Sequence, residues 1–147
     1  MKKKQLYLLF LTSLLLMVLT GCNIGSKMQD GYYTAEMSDF SFGWKEYVCI
    51  LVKNDKIVSA EFNAKSESGF IKAWDNEYMR NMKTVSGIYP NKYTREYVQQ
   101  LIDEQKDIEV DMITGATSSG NNFERLVAAV IEQAKKGDST TVIVESE

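Results

Sequence analysis

The sequence contains no histidine, and among its 147 residues it has one proline and two cysteines. Without histidine the chain has no Ser-His or Cys-His catalytic pair and no histidine ligand for zinc or haem. We therefore expect no catalytic residue and no metal site of these kinds. Any redox chemistry has to come from an added cofactor.

Outside its leader, the chain also lacks a cluster of basic residues. It carries 17 basic against 20 acidic residues. Three of the basic residues, Lys2, Lys3 and Lys4, lie in the leader, which leaves 14 against 20 in the remainder. Because nucleic-acid binding depends on neutralising phosphates, no nucleic-acid partner is expected.

The first 22 residues have the pattern of an export signal. The basic start is followed by an apolar run from Leu6 to Thr20, which is short for a membrane span, and then by Gly21-Cys22. This ending resembles the lipobox of bacterial lipoproteins, which implies a palmitate-type acyl anchor on Cys22 at the outer face of the cytoplasmic membrane. An ordinary secretory signal or a short membrane anchor is the alternative. Residues 23–30 would form a spacer.

Alternating and apolar segments after the spacer predict strands over residues 31–37, 45–52 and 57–64. The second segment is apolar on both faces, which predicts a central strand containing Cys49 as a small buried hydrophobe; a reactive thiol is the alternative. Asn54 and Asp55 predict a tight hairpin. In the third segment, Val58, Ala60, Phe62 and Ala64 are expected to face the core, and Thr140 to Glu145 is a candidate edge strand.

Helical spacing predicts helices over residues 73–84 and 91–105, and over 123–134. We expect an α+β fold, in which the N-terminal strands form an antiparallel sheet with the helices packed on one face. Residues 31–137 would form a single domain, with 138–147 as a tail or edge strand. In the first helix, Trp74, Tyr78 and Met82 form an apolar stripe that predicts core packing; Tyr78, Met79 and Met82 are alternatively candidates to contact a cofactor.

The segment Asp111-Met112-Ile113-Thr114-Gly115-Ala116-Thr117-Ser118-Ser119-Gly120 precedes the last predicted helix. A glycine allows positive φ and close approach. Hydroxyl residues at a helix start cap the first turn, and the N–H groups and dipole of that turn attract phosphate. The segment therefore indicates either a well-capped turn or a phosphate site beside a hydroxyl.

This segment resembles the attachment motif D-x-x-[ST]-G-A-T-x-[ST] of the FMN-binding domain family. The family includes the C subunit of the sodium-translocating NADH:quinone reductase, the G subunit of the Rnf complex and small surface lipoproteins. Six such constraints coincide by chance roughly once per million positions. The resemblance implies that a flavin transferase joins the phosphate of FMN to Thr117. It also implies that Gly115 and Ala116 allow close approach, that Ser118 and Ser119 bind the phosphate, and that Thr114 and Asp111 shape the turn or are read by the transferase.

The resemblance predicts a lipid-anchored flavoprotein that carries electrons at the membrane surface and is not a stand-alone enzyme. The sequence does not identify its electron donor or acceptor. Two other classes of function remain open. One is a lipoprotein that binds flavin or another small molecule without a covalent bond. The other is a surface interaction protein that leaves the motif unused.

Overall fold

Three consecutive strands form an antiparallel meander in the computed structural model, which describes residues 27–146. They are β1 (Gly31–Met37), β2 (Lys45–Lys53) and β3 (Lys56–Lys65). Asn54 and Asp55 join β2 to β3 with φ values of 52° and 61°. Positive φ at both positions of a two-residue loop matches the twist of the flanking strands, so the predicted hairpin is confirmed.

A fourth strand and three helices complete the fold. The helices are α1 (Asn76–Ser86), α2 (Pro90–Glu104) and α3 (Thr117–Lys136), and the last strand is β4 (Val142–Val144). The strand order is β3-β2-β1-β4, and β4 pairs in parallel with β1 because the chain crosses over through the helices before it returns to the sheet. The predicted α+β class, the central position of β2 and the C-terminal edge strand are confirmed.

The core lies between one face of the sheet and the helices α2 and α3. Alternate residues of β1 and β2, among them Tyr33, Ala35, Val48 and Ile50, turn their side chains to this face and are buried. Three large rings fill its centre, where Tyr97 stacks on Phe123 with ring centroids 5.4 Å apart and Phe62 contacts both. Helices therefore cover one face of the sheet, as the apolar patterns predict.

Three residues that we predicted to be buried in the core are exposed or only partly buried. A bulge opposite Leu51 and Val52 shifts the pairing of β3, so that Ile57 is buried and Val58 is exposed. Trp74 lies in a short 3-10 turn (Lys72–Trp74) and is exposed, because Asp75 accepts a hydrogen bond from the N–H of Tyr78 and begins α1 after it. Cys49 is only partly buried, since it lies on the face of β2 that the helices do not cover.

The packed part of the chain also begins earlier than the first strand. Met28, which we expected in the spacer, is buried in the core, and its N–H donates to the Asp55 carboxylate. The predicted leader and Cys22 lie outside the described residues. Between residues 27 and 146, no helix is both long enough and apolar enough to cross a membrane.

Candidate functional site

Side chains of helix α2 hold the turn that leads into α3. The hydroxyl of Tyr97, which is fully buried, accepts a hydrogen bond from the N–H of Ile113 at 3.0 Å and donates one to the carbonyl of Ala116 at 3.2 Å. One helical turn further on, the amide of Gln100 accepts from the N–H of Asp111 and donates to its carbonyl. The loop from Asp111 to Ala116 is therefore fixed at both ends by side chains of α2.

Two glycines let this turn lie close to its supports. Gly115 has a φ of 85°, and a Cβ added there would lie 2.9 Å from Cγ2 of Ile88. A Cβ on Gly120 would lie 2.4 Å from the hydroxyl oxygen of Tyr97 and 2.5 Å from the sulfur of Met112. Both glycines are needed because a side chain at either position would force the motif away from α2 or from the segment that joins α1 to α2.

Helix α3 begins without a side-chain cap. Its N-cap is Ala116, and the first intrahelical bond runs from the N–H of Gly120 to the carbonyl of Ala116 at 2.9 Å. Among residues 27–146, nothing accepts a hydrogen bond from the N–H groups of Thr117, Ser118 and Ser119. The expectation that hydroxyl residues cap this helix is wrong. The first turn instead presents three N–H donors and the positive end of the helix dipole.

A cavity of about 710 Å³ lies beside this turn, within the usual size range of small-molecule sites. Residues 115–119 line it together with residues of β2, the 3-10 turn and α1. The lining includes flat aromatic surface, because Trp44 and Tyr78 meet edge to face with centroids 5.9 Å apart. The remaining lining residues are Met37, Asp39, Ser41, Phe42, Glu46, Lys72, Met82, Tyr93, Asn121, Asn122, Arg125 and Ser146.

A buried carboxylate ties the helix start to the sheet. Glu46 of β2 accepts a hydrogen bond from the hydroxyl of Ser119 at 2.6 Å and another from the amide of Asn122 at 2.7 Å. Tyr93 of α2, which is also buried, lies against the same group. Burial raises the pKa of Tyr93 above its usual value, whereas the nearby Lys72 and Ser119 oppose that rise.

A buried lysine faces the aromatic wall of the cavity. The ammonium nitrogen of Lys72 lies 4.8 Å from the ring centroid of Tyr78 and 5.8 Å from that of Trp44. Its residue is 9% exposed, a low value for a lysine. The lining of the cavity therefore holds a cation beside its aromatic rings and, at the start of α3, three N–H donors.

The structure brings five of the predicted site residues to the cavity, namely residues 115–119, and leaves the other two outside its lining. Asp111 and Thr114 are exposed on the turn. Of the side chains considered for cofactor contact, Tyr78 and Met82 line the cavity and Met79 does not.

Sequence reasoning missed Glu46, Lys72 and Tyr93, which come from three elements that only the tertiary fold brings together. The sequence does contain a signal for Glu46. This acidic residue alternates with Val48 and Ile50 along β2, so it lies on the strand face that carries buried apolar side chains. Such a residue needs a polar partner in the core.

The lining suits an organic phosphate with a flat ring. The unpaired N–H groups match phosphate oxygens, and the cavity beside them offers aromatic and methionine side chains. Metal ligands are a poorer match, since no group of three or more Cys, Asp or Glu side chains in the described part of the chain is arranged to hold a metal ion.

Comparisons with known proteins agree with this geometry. The sequence matches the FMN-binding domain family over residues 43–132, more than half of the chain. It is 33% identical over 132 residues to the 15 kDa lipoprotein of Treponema pallidum (strain Nichols), an alignment that covers 89% of this chain and 94% of that protein. The crystal structure of the CPE2226 protein from Clostridium perfringens resembles it with a TM-score of 0.76 and 36% identity, covering 82% of this chain and 99% of the other. The chain belongs to the FMN-binding domain family, and its cofactor is FMN.

Proposed function

We propose that this protein carries FMN covalently, through a phosphoester to the hydroxyl of Thr117, and serves as an electron carrier at a membrane surface. The observation that carries the proposal is the uncapped start of α3. There, three unpaired N–H groups and the Thr117 side chain lie in the wall of a cavity of suitable size. A helix start of this kind binds phosphate without any further cationic side chain.

Each motif residue has a role in this proposal. The Thr117 hydroxyl is the acceptor in the transfer, in which an Oγ–P bond forms, the diphosphate bond of FAD breaks and AMP leaves. The N–H groups of Ser118 and Ser119 bind the phosphate oxygens, and Gly115 and Ala116 allow the phosphate to approach the backbone. Asp111 and Thr114 are exposed, so they are accessible to the flavin transferase that performs the reaction.

The cavity next to the phosphate site would receive the isoalloxazine ring. Trp44, Tyr78 and Met82 offer flat or polarizable surface there. When bound, FMN supplies one- and two-electron chemistry, so the chain needs no acid or base of its own for electron transfer. The protein's contribution is to hold the ring and to set its electrostatic surroundings.

A second tether would hold the protein itself. One relative is named a lipoprotein, and Cys22 ends a lipobox-like leader in this chain. We propose that acylation of Cys22 anchors the domain at the outer face of the cytoplasmic membrane, where a dissociable flavin would be lost by dilution. The phosphoester prevents that loss, and the lipid keeps the protein at the surface.

The proposal is tested by producing the chain with and without a flavin transferase and FAD, and by recording flavin fluorescence after denaturing electrophoresis. We expect a fluorescent band only with the transferase. Thr117→Ala should abolish the band. Ser118→Ala is the matched control one residue away, and it should keep the band because its hydroxyl is not the acceptor.

Other outcomes would assign another function. Yellow colour that is released by denaturation would mean non-covalent flavin binding and would contradict the phosphoester. A colourless protein, made with a transferase that modifies another substrate in the same cells, would favour a surface interaction protein. Fluorescence that persists in Thr117→Ala would place the bond on another residue.

A further inference from the structure

Lys72 is a buried cation whose ammonium group contacts aromatic rings of the cavity and not a carboxylate. Its residue is 9% exposed, and in residues 27–146 no carboxylate forms an ion pair with its ammonium group. Lysine is seldom buried without a partner, because moving an ammonium group out of water is costly. The site therefore keeps a cation where a structural role would favour an apolar residue.

The contacts of the Lys72 ammonium group show which part of the cavity lining receives its charge. Its ammonium nitrogen lies over the ring of Tyr78 at 4.8 Å and near the ring of Trp44 at 5.8 Å, and all three residues line the cavity. The electron-rich faces of these rings hold the cation in place. The N–H donors for a phosphate belong to other residues of the lining, Thr117 to Ser119. The two ring contacts place the ammonium group of Lys72 beside the aromatic part of the lining.

We propose that Lys72 is the residue that presents positive charge to the isoalloxazine ring of FMN and thereby raises the reduction potential of the flavin. The inference rests on the proposed binding site. When the oxidised ring takes up two electrons and one proton at N5, one negative charge remains on the N1 and C2-carbonyl side. An ammonium group beside the ring stabilises this anion more than the neutral oxidised form, because the cavity wall screens charge less than water does.

The test compares reduction potentials of the full chain, flavinylated by a transferase and titrated with dithionite in the presence of mediator dyes at fixed pH. Lys72→Met removes the charge and keeps most of the length of the side chain. We expect it to weaken the preference for the reduced form at least tenfold, a downward shift of about 30 mV for a two-electron couple. Lys72→Arg keeps the charge and should stay close to the wild-type potential.

Lys83→Met is the matched control. Lys83 also lies over an aromatic ring, that of Tyr89 at 5.6 Å, but it is exposed and does not line the cavity. Its replacement should leave the potential unchanged. If Lys72→Met fails to fold, Lys72→Gln tests the same prediction, since it also removes the charge.

Two results would overturn the assignment. The first is an unchanged potential in a charge-removing variant that carries a full complement of flavin. The second is a folded charge-removing variant that no longer binds flavin or accepts it from the transferase, because Lys72 would then serve the phosphate and not the ring. Failure of the proposed function would look different, since the wild-type protein itself would then carry no flavin.

Discussion

The hydroxyl of Tyr97 should hold the turn from Asp111 to Ala116 in place, and Tyr97→Phe removes that oxygen alone. Two backbone groups lose a partner. The carbonyl of Ala116 keeps a second hydrogen bond, from the N–H of Gly120 at 2.9 Å. The N–H of Ile113 has only the Tyr97 hydroxyl as its acceptor among the described residues, so it is left unpaired in a partly buried position.

The loss of stability in Tyr97→Phe can be worked out from these two changes. A neutral hydrogen bond contributes about 0.5–1.5 kcal/mol net, and a buried donor left unpaired costs about 1–3 kcal/mol. When the bond to Ala116 is lost, the carbonyl keeps its hydrogen bond from Gly120. When the other bond is lost, the N–H of Ile113 is left without an acceptor. We expect Tyr97→Phe to lower the free energy of unfolding by about 2 kcal/mol. For a domain of this size, that corresponds to a fall in Tm of roughly 6–12 °C.

The assay is urea unfolding of the protein without flavin, followed by far-UV circular dichroism. Tyr33→Phe is the matched control, since that hydroxyl makes one hydrogen bond, to the carbonyl of Gln29 at 3.0 Å, away from the motif. It should cost less than Tyr97→Phe and leave flavinylation at the wild-type rate, whereas Tyr97→Phe should slow it. A loss below about 0.5 kcal/mol together with unchanged flavinylation would refute the idea that Tyr97 positions the turn.

Three further perturbations test the surroundings of the cavity. Gly115→Ala should lower the free energy of unfolding by about 2 kcal/mol or more, because it combines a φ of 85° with a contact to Ile88, and urea unfolding measures this loss. Glu46→Gln should cost about 1.5–3 kcal/mol in the same assay, since it weakens two charge-assisted hydrogen bonds to α3; an unchanged midpoint would contradict the role of that carboxylate. The free energy of unfolding should fall as pH rises above 10.0, the usual pKa of tyrosine, because the unfolded chain loses the Tyr93 proton before the folded chain does. The fall should be shallower in Tyr93→Phe. Equal slopes in the two proteins would contradict the raised pKa of Tyr93.

Features set by neighbouring residues were predictable from the sequence. The Asn54-Asp55 hairpin and the apolar stripe of α3 follow from local backbone preferences and from periodicity. The attachment motif is likewise one continuous segment. Val58 was misplaced because a bulge changes which residues of β3 face the core, and a bulge depends on the partner strand.

The rest of the cavity depends on contacts between elements distant in sequence. Glu46, Lys72 and Tyr93 come from β2, the 3-10 turn and α2, and no spacing in the sequence relates them to the motif. The position of Trp74 also depends on an interaction that helical spacing does not predict. Because the side chain of Asp75 caps α1, the helix begins after Trp74, and its apolar stripe starts one turn later than helical spacing predicts.

The most direct test of the covalent attachment is tandem mass spectrometry of the flavinylated protein after trypsin digestion. Cleavage after Lys106 and Arg125 releases the peptide of residues 107–125, which contains every hydroxyl of the motif. We predict that this peptide gains the mass of FMN less one water and that its fragments assign the gain to Thr117. A gain on Thr114, Ser118 or Ser119, or an unmodified peptide from a protein that was yellow before digestion, would contradict the phosphoester at Thr117.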